Sequence, residues 1–398
     1  LGNISYALYL VHWPILILYS AAVGKTGVDF LEGTLIIVVS VALAWLLTRF
    51  IEKPLRYRKD PFVPWLMMKL RFKKVFVVST WADQAAFLVA IFLLAGIPLA
   101  GAQAWVSASN TKAVAKAEQS TGDEHSEYPG ARAIGTNRVT SNENPIPSTD
   151  PKSQYERLDG ACDGVFKPKD ESLSKYCNIQ TYGADDAPLT VIVGNSHIEQ
   201  SIASFKPIAE QTHTNLQAYL LGGCLYPTRD VNACSEFNHK VTEELLKRKP
   251  QTVVLTATVA DAKTNEERVD PALDETVKKL TDAGIQVIGL RDNPRYDFNV
   301  YECAQKAGSD MSSCARPVNE KLADTNPSRE VLDRYEGAVT IDLADLYCPE
   351  GTCQPIIGNV YVYMDDNHVT KSYARTMAHA IYERASRSGW LVTGRLKF

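Results

Sequence analysis

The sequence predicts an α/β domain with a parallel sheet, preceded by about three transmembrane helices. Three observations carry this reading. Apolar runs dominate the chain up to about Trp105, short β-branched runs alternate with amphipathic stretches from Gln154 onward, and all 8 cysteines follow the last apolar run. At 398 residues the chain exceeds one ordinary core, so two or three units are expected.

The apolar runs from about Ile4 to Val23, Leu31 to Phe50 and Gln84 to Trp105 are each long enough to cross a bilayer. Gly96 and Pro98 interrupt the third, but spans tolerate such residues better than soluble helices do. A basic cluster from Arg49 to Lys74, including Lys53, Arg56 and Lys59, separates the second run from the third. By the positive-inside rule that loop is cytoplasmic, and everything after about Trp105 lies on the outer face. The chain opens at Leu1 inside an apolar segment, with no charged leader or cleavage site, and so reads as a piece of a longer membrane protein.

The cysteines agree with an outer location. Cys162 and Cys177, Cys224 and Cys234, Cys303 and Cys314, and Cys348 and Cys353 form sequence-local pairs, as disulfides that pin loops in an oxidising compartment do. No Cys-x-x-Cys occurs and the histidines do not cluster with the cysteines, so no metal is expected. A net charge of −4 and a pI of 6.0 make no electrostatic case for nucleic acid. Gly-rich phosphate loops are absent, and no cofactor is expected on this chain.

Residues 107–153 shift to Ser, Thr, Asn, Glu, Lys and Pro and read as an extracytoplasmic linker, with Tyr128-Pro129-Gly130-Ala131-Arg132 as its one local signature. Residues 154–398 then alternate in type. Strands are expected at Leu189–Val193, Leu216–Leu220, Thr252–Thr256, Gln286–Leu290 and Val339–Leu343. Helices are expected at Glu199–Gln211, Phe237–Arg248, Asp270–Asp282 and Ser372–Ala385. The alternation predicts a parallel sheet covered on both faces.

In Val191-Ile192-Val193-Gly194-Asn195-Ser196 a buried strand ends at a glycine and a serine follows at the start of a helix. Ligands in open α/β sheets bind at such strand ends. A base for that serine stands near the C-terminus, where His368 follows Asp365 by three positions on a loop entering a helix. The blocks Gly194-Asn195-Ser196 and Asp365-x-x-His368, in this order, resemble the SGNH/GDSL hydrolase superfamily, whose first block is usually Gly-Asp-Ser. The resemblance implies a flavodoxin-like three-layer domain with Ser196 as nucleophile, His368 as base and Asp365 as the group that orients it. It also implies oxyanion donors in the N–H of Ser196 and in Gly223, within Gly222-Gly223-Cys224. The family's Gly-x-Asn-Asp block is replaced here by Thr256-Ala257-Thr258-Val259-Ala260-Asp261, which has no asparagine. Either Thr258 or Asn293 substitutes, or the hole uses fewer donors; a lost donor costs roughly 10²–10³ in rate.

A second resemblance covers residues 1–60. Gly2-Asn3-Ile4-Ser5-Tyr6-Ala7-Leu8-Tyr9-Leu10-Val11-His12-Trp13-Pro14 and Ile51-Glu52-Lys53-Pro54-Leu55-Arg56 resemble the last two helices of the membrane-bound acyltransferase-3 family. The early helices, with that family's proposed catalytic histidine and acyl-donor site, would precede this sequence; His12 is therefore read as a structural or supporting group. Residues 61–106 then hold the basic loop and the third span. Acyltransferases of this kind with a fused SGNH domain carry a Pro-Gly-Ala element in the linker, which implies that Pro129-Gly130-Ala131 docks on the domain after it.

Together the resemblances imply a bacterial cytoplasmic-membrane enzyme of the cell envelope. An acyl group, commonly acetyl and supplied by acetyl-CoA to the parent membrane domain, would pass through Ser196 to a hydroxyl of a glycan or glycolipid. A membrane-tethered esterase that removes O-acyl groups is the alternative, and a non-catalytic acceptor-binding module the second. His197 is left open between a structural, a substrate-facing and a participating role. His213, His239 and His379 read as surface or helix-face residues. Arg291, Asp292 and Arg295 read as a solvated turn, with an anionic sugar or phosphate site as the alternative.

Overall fold

The computed structural model describes residues 5–23, 30–49, 121, 126–136, 145–146, 151–229, 233–308 and 310–390. The loop from Lys53 to Lys74 and the apolar run from Gln84 to Trp105 lie outside the described residues. The chain divides into two compact units, 1–112 and 113–398.

In the first unit α1 (Ser5–Val23) packs against α2 (Phe30–Leu47), and the two fall on the first two expected apolar runs. Among the described residues, α2 is the one helix that meets the length and hydropathy of a membrane span. It buries Ile36, Ser40 and Ala44, spaced one turn apart on a single stripe, while Leu35, Ile37 and Val38 stay exposed. The Nδ1 of His12 lies 3.0 Å from the Leu8 carbonyl oxygen one turn back.

The second unit is built on a seven-stranded sheet of β1 (Gly160–Ala161), β2 (Cys177–Gln180), β3 (Leu189–Gly194), β4 (Asn215–Leu220), β5 (Thr252–Thr256), β6 (Gln286–Leu290) and β7 (Ala338–Ile341). Its order is β1-β2-β4-β3-β5-β6-β7. From β4 across to β7 every neighbouring pair is parallel, and these five strands alone run 2-1-3-4-5, the flavodoxin-like order. The five expected strands form this parallel run, and two further strands extend one edge. There β2 runs antiparallel to β4, and β1 antiparallel to β2. The Cys162–Cys177 disulfide ties the residue after β1 to the first residue of β2, so the chain between them returns along the same edge.

Side-chain alternation along each strand feeds two core layers. Ile192, Val254 and Ile288 point to the face covered by α4 (Ile202–Thr212), α10 (Lys371–Thr376) and α11 (Ala378–Arg387), through Phe205, Ile208, Tyr373 and Ile381. Val191, Val193, Val253 and Val287 point to the face covered by α5 (Ala233–Arg248) and α6 (Ala272–Asp282), through Val241, Leu245, Val277 and Leu280. Shorter helices α3 (Ser196–Glu199), α7 (Val300–Ala307), α8 (Arg329–Leu332) and α9 (Ala344–Tyr347) fill the connections.

Two expected helices are broken. Glu199–Gln211 divides between α3 and α4, and Ser372–Ala385 between α10 and α11. At both breaks a hydroxyl donates to a carbonyl three residues back, Ser201 to Ile198 at 2.6 Å and Thr376 to Tyr373 at 2.7 Å, in competition with the helical ladder. The last strand ends at Ile341 instead of Leu343, because the Asp342 carboxylate accepts the Ala344 N–H at 3.0 Å and starts α9.

The Tyr128–Arg132 segment docks on this unit. The N–H of Gly130 donates to the Gly358 carbonyl at 3.1 Å, and that of Ala131 to the Thr376 hydroxyl at 2.9 Å. Gly130 and Gly358 sit at φ of +55° and +53°, and a Cβ on Gly358 would lie 2.5 Å from the Gly130 carbonyl oxygen. All four expected disulfides are formed, Cys162–Cys177, Cys224–Cys234, Cys303–Cys314 and Cys348–Cys353.

Candidate active site

The site begins where β3 ends. Gly194 takes φ of +146° and comes close enough to Ile198 that a Cβ would lie 3.0 Å from that side chain, so the chain turns sharply into α3. Asn195 caps that helix, its side-chain oxygen accepting the His197 N–H at 3.0 Å. Ser196 is therefore the first residue of α3, at the carboxyl end of β3. β3 lies between β4 and β5, the switch point of the parallel order, where open sheets leave a crevice.

The loop before α10 meets it there. The Nε2 of His368 lies 2.8 Å from the Ser196 Oγ, and the Nδ1 of His368 lies 2.7 Å from the Asp365 Oδ2. The other Asp365 oxygen accepts the N–H groups of Asn367 at 2.9 Å and His368 at 2.7 Å. Burial works to raise the Asp365 carboxyl, but hydrogen bonds from the His368 ring and from these two N–H groups outweigh it and hold the group below its ordinary value. Asp366 faces away from this pairing, its Oδ1 accepting the Asn367 amide at 3.0 Å.

Surrounding groups fix the ring and the helix. Tyr155 meets His368 edge-on, with centroids 5.5 Å apart. Gln200, which carries no sequence signal, clamps α3 to two loops: its oxygen accepts the Val369 N–H at 2.6 Å and its amide donates to Asn293 at 2.7 Å. Burial raises the Glu199 carboxyl, against the opposing pull of Arg157 3.3 Å away.

One expectation changes, and the geometry bears on three residues left open. Asn293 presents no spare donor to the serine, since its amide already donates to the carbonyls of Pro294 at 2.9 Å and Asn367 at 2.8 Å. The Thr258 hydroxyl is likewise engaged, donating to Glu267 at 3.1 Å and accepting the Asp292 N–H at 2.9 Å. The stretch holding Arg291, Asp292 and Arg295 is a buried ion network, not a solvated turn, because Arg291 pairs with Glu267 and Asp342 and Arg295 pairs with Asp292. His197 belongs to that network: its Nδ1 lies 2.8 Å from the Asp292 Oδ1, and its ring centroid 5.0 Å from that of His368. Burial works to raise the Asp292 carboxyl, but His197, Arg295 and the Ala260 N–H bring it down to about 2.

Gly223 lies at φ of +74° in an exposed turn. The Leu221 N–H ties this turn to the Gly194 carbonyl at 2.9 Å, and the Cys224–Cys234 disulfide holds its far side. His213 is the exposed cap of α4, and His239 and His379 stand on helix surfaces 3.8 Å and 3.7 Å from Glu243 and Glu383.

A serine at the end of a central parallel strand, hydrogen-bonded to a histidine that a carboxylate holds, has a base placed to take its proton. The family profile described as "SGNH domain (fused to AT3 domains)" matches residues 161–383, and the chain belongs to that family. Among solved structures the chain is similar to the periplasmic domain of the lipopolysaccharide acetyltransferase of Salmonella ser. Paratyphi A. That similarity has 14% sequence identity and a TM-score of 0.38, covering 52% of this chain and 85% of that one. No curated protein matches the chain.

Proposed function

We propose that the second unit is a serine-dependent O-acyltransferase that moves an acyl group, acetyl by the resemblance, to a hydroxyl of a cell-envelope glycan or glycolipid. The observation that carries this reading is the unbroken line of hydrogen bonds from Ser196 through His368 to Asp365. In it the Ser196 Oγ attacks the acyl carbonyl carbon as its proton passes to the His368 Nε2. His368 gives that proton to the heteroatom of the donor as its bond to the acyl carbon breaks, so the donor leaves protonated and the acyl group stays as an ester on Ser196. The acceptor hydroxyl then surrenders its proton to His368 and attacks the ester, and the proton returns to the Ser196 Oγ. Asp365 keeps the ring oriented and offsets the imidazolium charge. The N–H groups of Ser196 and Gly223 serve the oxyanion, without help from Asn293.

The acyl group would come from a membrane acyltransferase-3 part that uses acetyl-CoA, with the second unit outside the cytoplasmic membrane. Four disulfides in that unit support an oxidising location. The second reading is a tethered esterase, which shares every step except the last and delivers the acyl group to water. A fluorophosphonate probe should label Ser196 in the wild type and nothing in Ser196→Ala. Acyl transfer to added glycan, measured beside release to water, separates the two enzymes. A folded wild type in which Ser196 takes no label would remove the serine from the chemistry and leave a binding module.

A further inference from the structure

Beside the proposed serine site lies an open polar cleft of about 810 Å³. Its wall includes Asp366 and Asn367, the two residues between Asp365 and His368, and Arg295, which is joined through Asp292 to His197. The lining also includes a two-stranded ribbon that pairs Val259–Ala260 with Glu267–Arg268, together with Asp324. The volume falls within the range of about 300–1,000 Å³ typical of ligand sites.

We propose that this cleft holds the acceptor, and that the acceptor is an uncharged polyhydroxyl saccharide segment and not an acidic one. The inference rests on the acyl-transfer reading and names the substrate class for it. Two properties of the lining carry it. The first is the supply of hydrogen-bonding groups: Asn265 and Arg268, both exposed, offer donors beside the carboxylate acceptors of Asp261, Glu266 and Asp324. An apolar chain would leave these groups desolvated and unmatched.

The second is charge. Glu267 and Arg295 in the lining are already neutralised by Arg291 and Asp292. What remains is Asp261, Glu266, Asp324 and Asp366 against two cations, Arg268 and Lys321, the latter donating from its Nζ to the carbonyls of Ala262 at 2.7 Å and Arg295 at 3.1 Å. Carboxylates therefore outnumber cations along the cleft, and a uronate or phosphate entering it would meet a net like charge. A neutral sugar meets only the hydrogen bonds.

The test uses the full chain in detergent and two probes, a neutral hexose tetrasaccharide and the tetrasaccharide of the corresponding uronic acid. Binding is read by saturation-transfer NMR on Ser196→Ala, so it does not depend on chemistry. The neutral probe should bind at least about tenfold tighter than the uronate, since one like-charge contact is worth 1.4 kcal/mol or more. Asn265→Trp, at the exposed tip of the ribbon, should displace it, and Asp324→Arg should narrow or reverse the preference. In parallel, p-nitrophenyl acetate serves as acyl donor, and the ratio of transfer to hydrolysis is measured with the neutral probe. That ratio should fall about tenfold in Asn265→Trp. Equal or tighter uronate binding, or neutral binding that both variants leave unchanged, would overturn the cleft assignment while Ser196 still released p-nitrophenol. Absent release from the wild type would instead sink the acyl-transfer reading, with the binding arm deciding the cleft.

Discussion

At the scale of single residues, the proposed chemistry makes unequal demands on the three aligned groups. Ser196→Ala and His368→Ala should each remove acyl transfer to within background, a loss of roughly 10⁴ or more, whereas Asp365→Ala should keep a small measurable rate because it orients and does not react. Single-turnover acylation by a chromogenic ester checks this, with circular dichroism confirming the fold. Asp292 supports a stability prediction. Its carboxyl titrates at about 2 in the folded protein against 3.8 unfolded, so between those values the unfolded chain binds the extra proton. The stabilisation is complete above pH 3.8 and lost as the pH falls toward 2. Asp292→Asn should flatten that acid limb and cost roughly 3–5 kcal/mol, because it leaves His197 and Arg295 without their buried counter-charge. Urea melts at a series of pH values measure both effects.

At the scale of elements, the docked Tyr128–Arg132 segment depends on two glycines that have no space for a side chain. Gly358→Ala should drive a methyl into the Gly130 backbone, releasing the segment at a cost of about 1–3 kcal/mol. Limited proteolysis near Arg132, faster in the variant while the sheet core stays protected, would report it. The turn bearing Gly223 depends on Cys224–Cys234, so replacing both cysteines by serine should cost about 2–4 kcal/mol. If Gly223 serves the oxyanion, the same variant should also lose acylation rate out of proportion to its melting temperature.

At the scale of the whole molecule, the two units carry opposite compositions, one apolar and one disulfide-pinned. The reading that puts the second outside the membrane makes a direct demand on accessibility. A single Lys263→Cys, on an exposed loop of the second unit, should react with a membrane-impermeant maleimide in intact spheroplasts. Reaction only after lysis would place the unit inside and remove the oxidising compartment from the account.

By itself the sequence determined the strand and helix alternation, because β-branched runs and 3.6-residue periodicity are local properties. It also pointed to Ser196, Asp365 and His368, through two short blocks that resemble a known family, and paired the cysteines, whose partners lie 5 to 15 positions apart. Three things were decided only by the tertiary structure. The antiparallel edge of β1 and β2 follows from a pairing across chain segments too short to show a period. The break of each long helix depends on a serine or threonine hydroxyl choosing a backbone carbonyl over solvent. The largest change is at Arg291, Asp292 and Arg295: in sequence they are three charges beside a proline, which reads as a solvated turn. Arg291 and Asp292 are buried against Glu267, Asp342 and His197, partners 24 to 95 residues away, a separation over which no local pattern carries information; Arg295 then closes on Asp292.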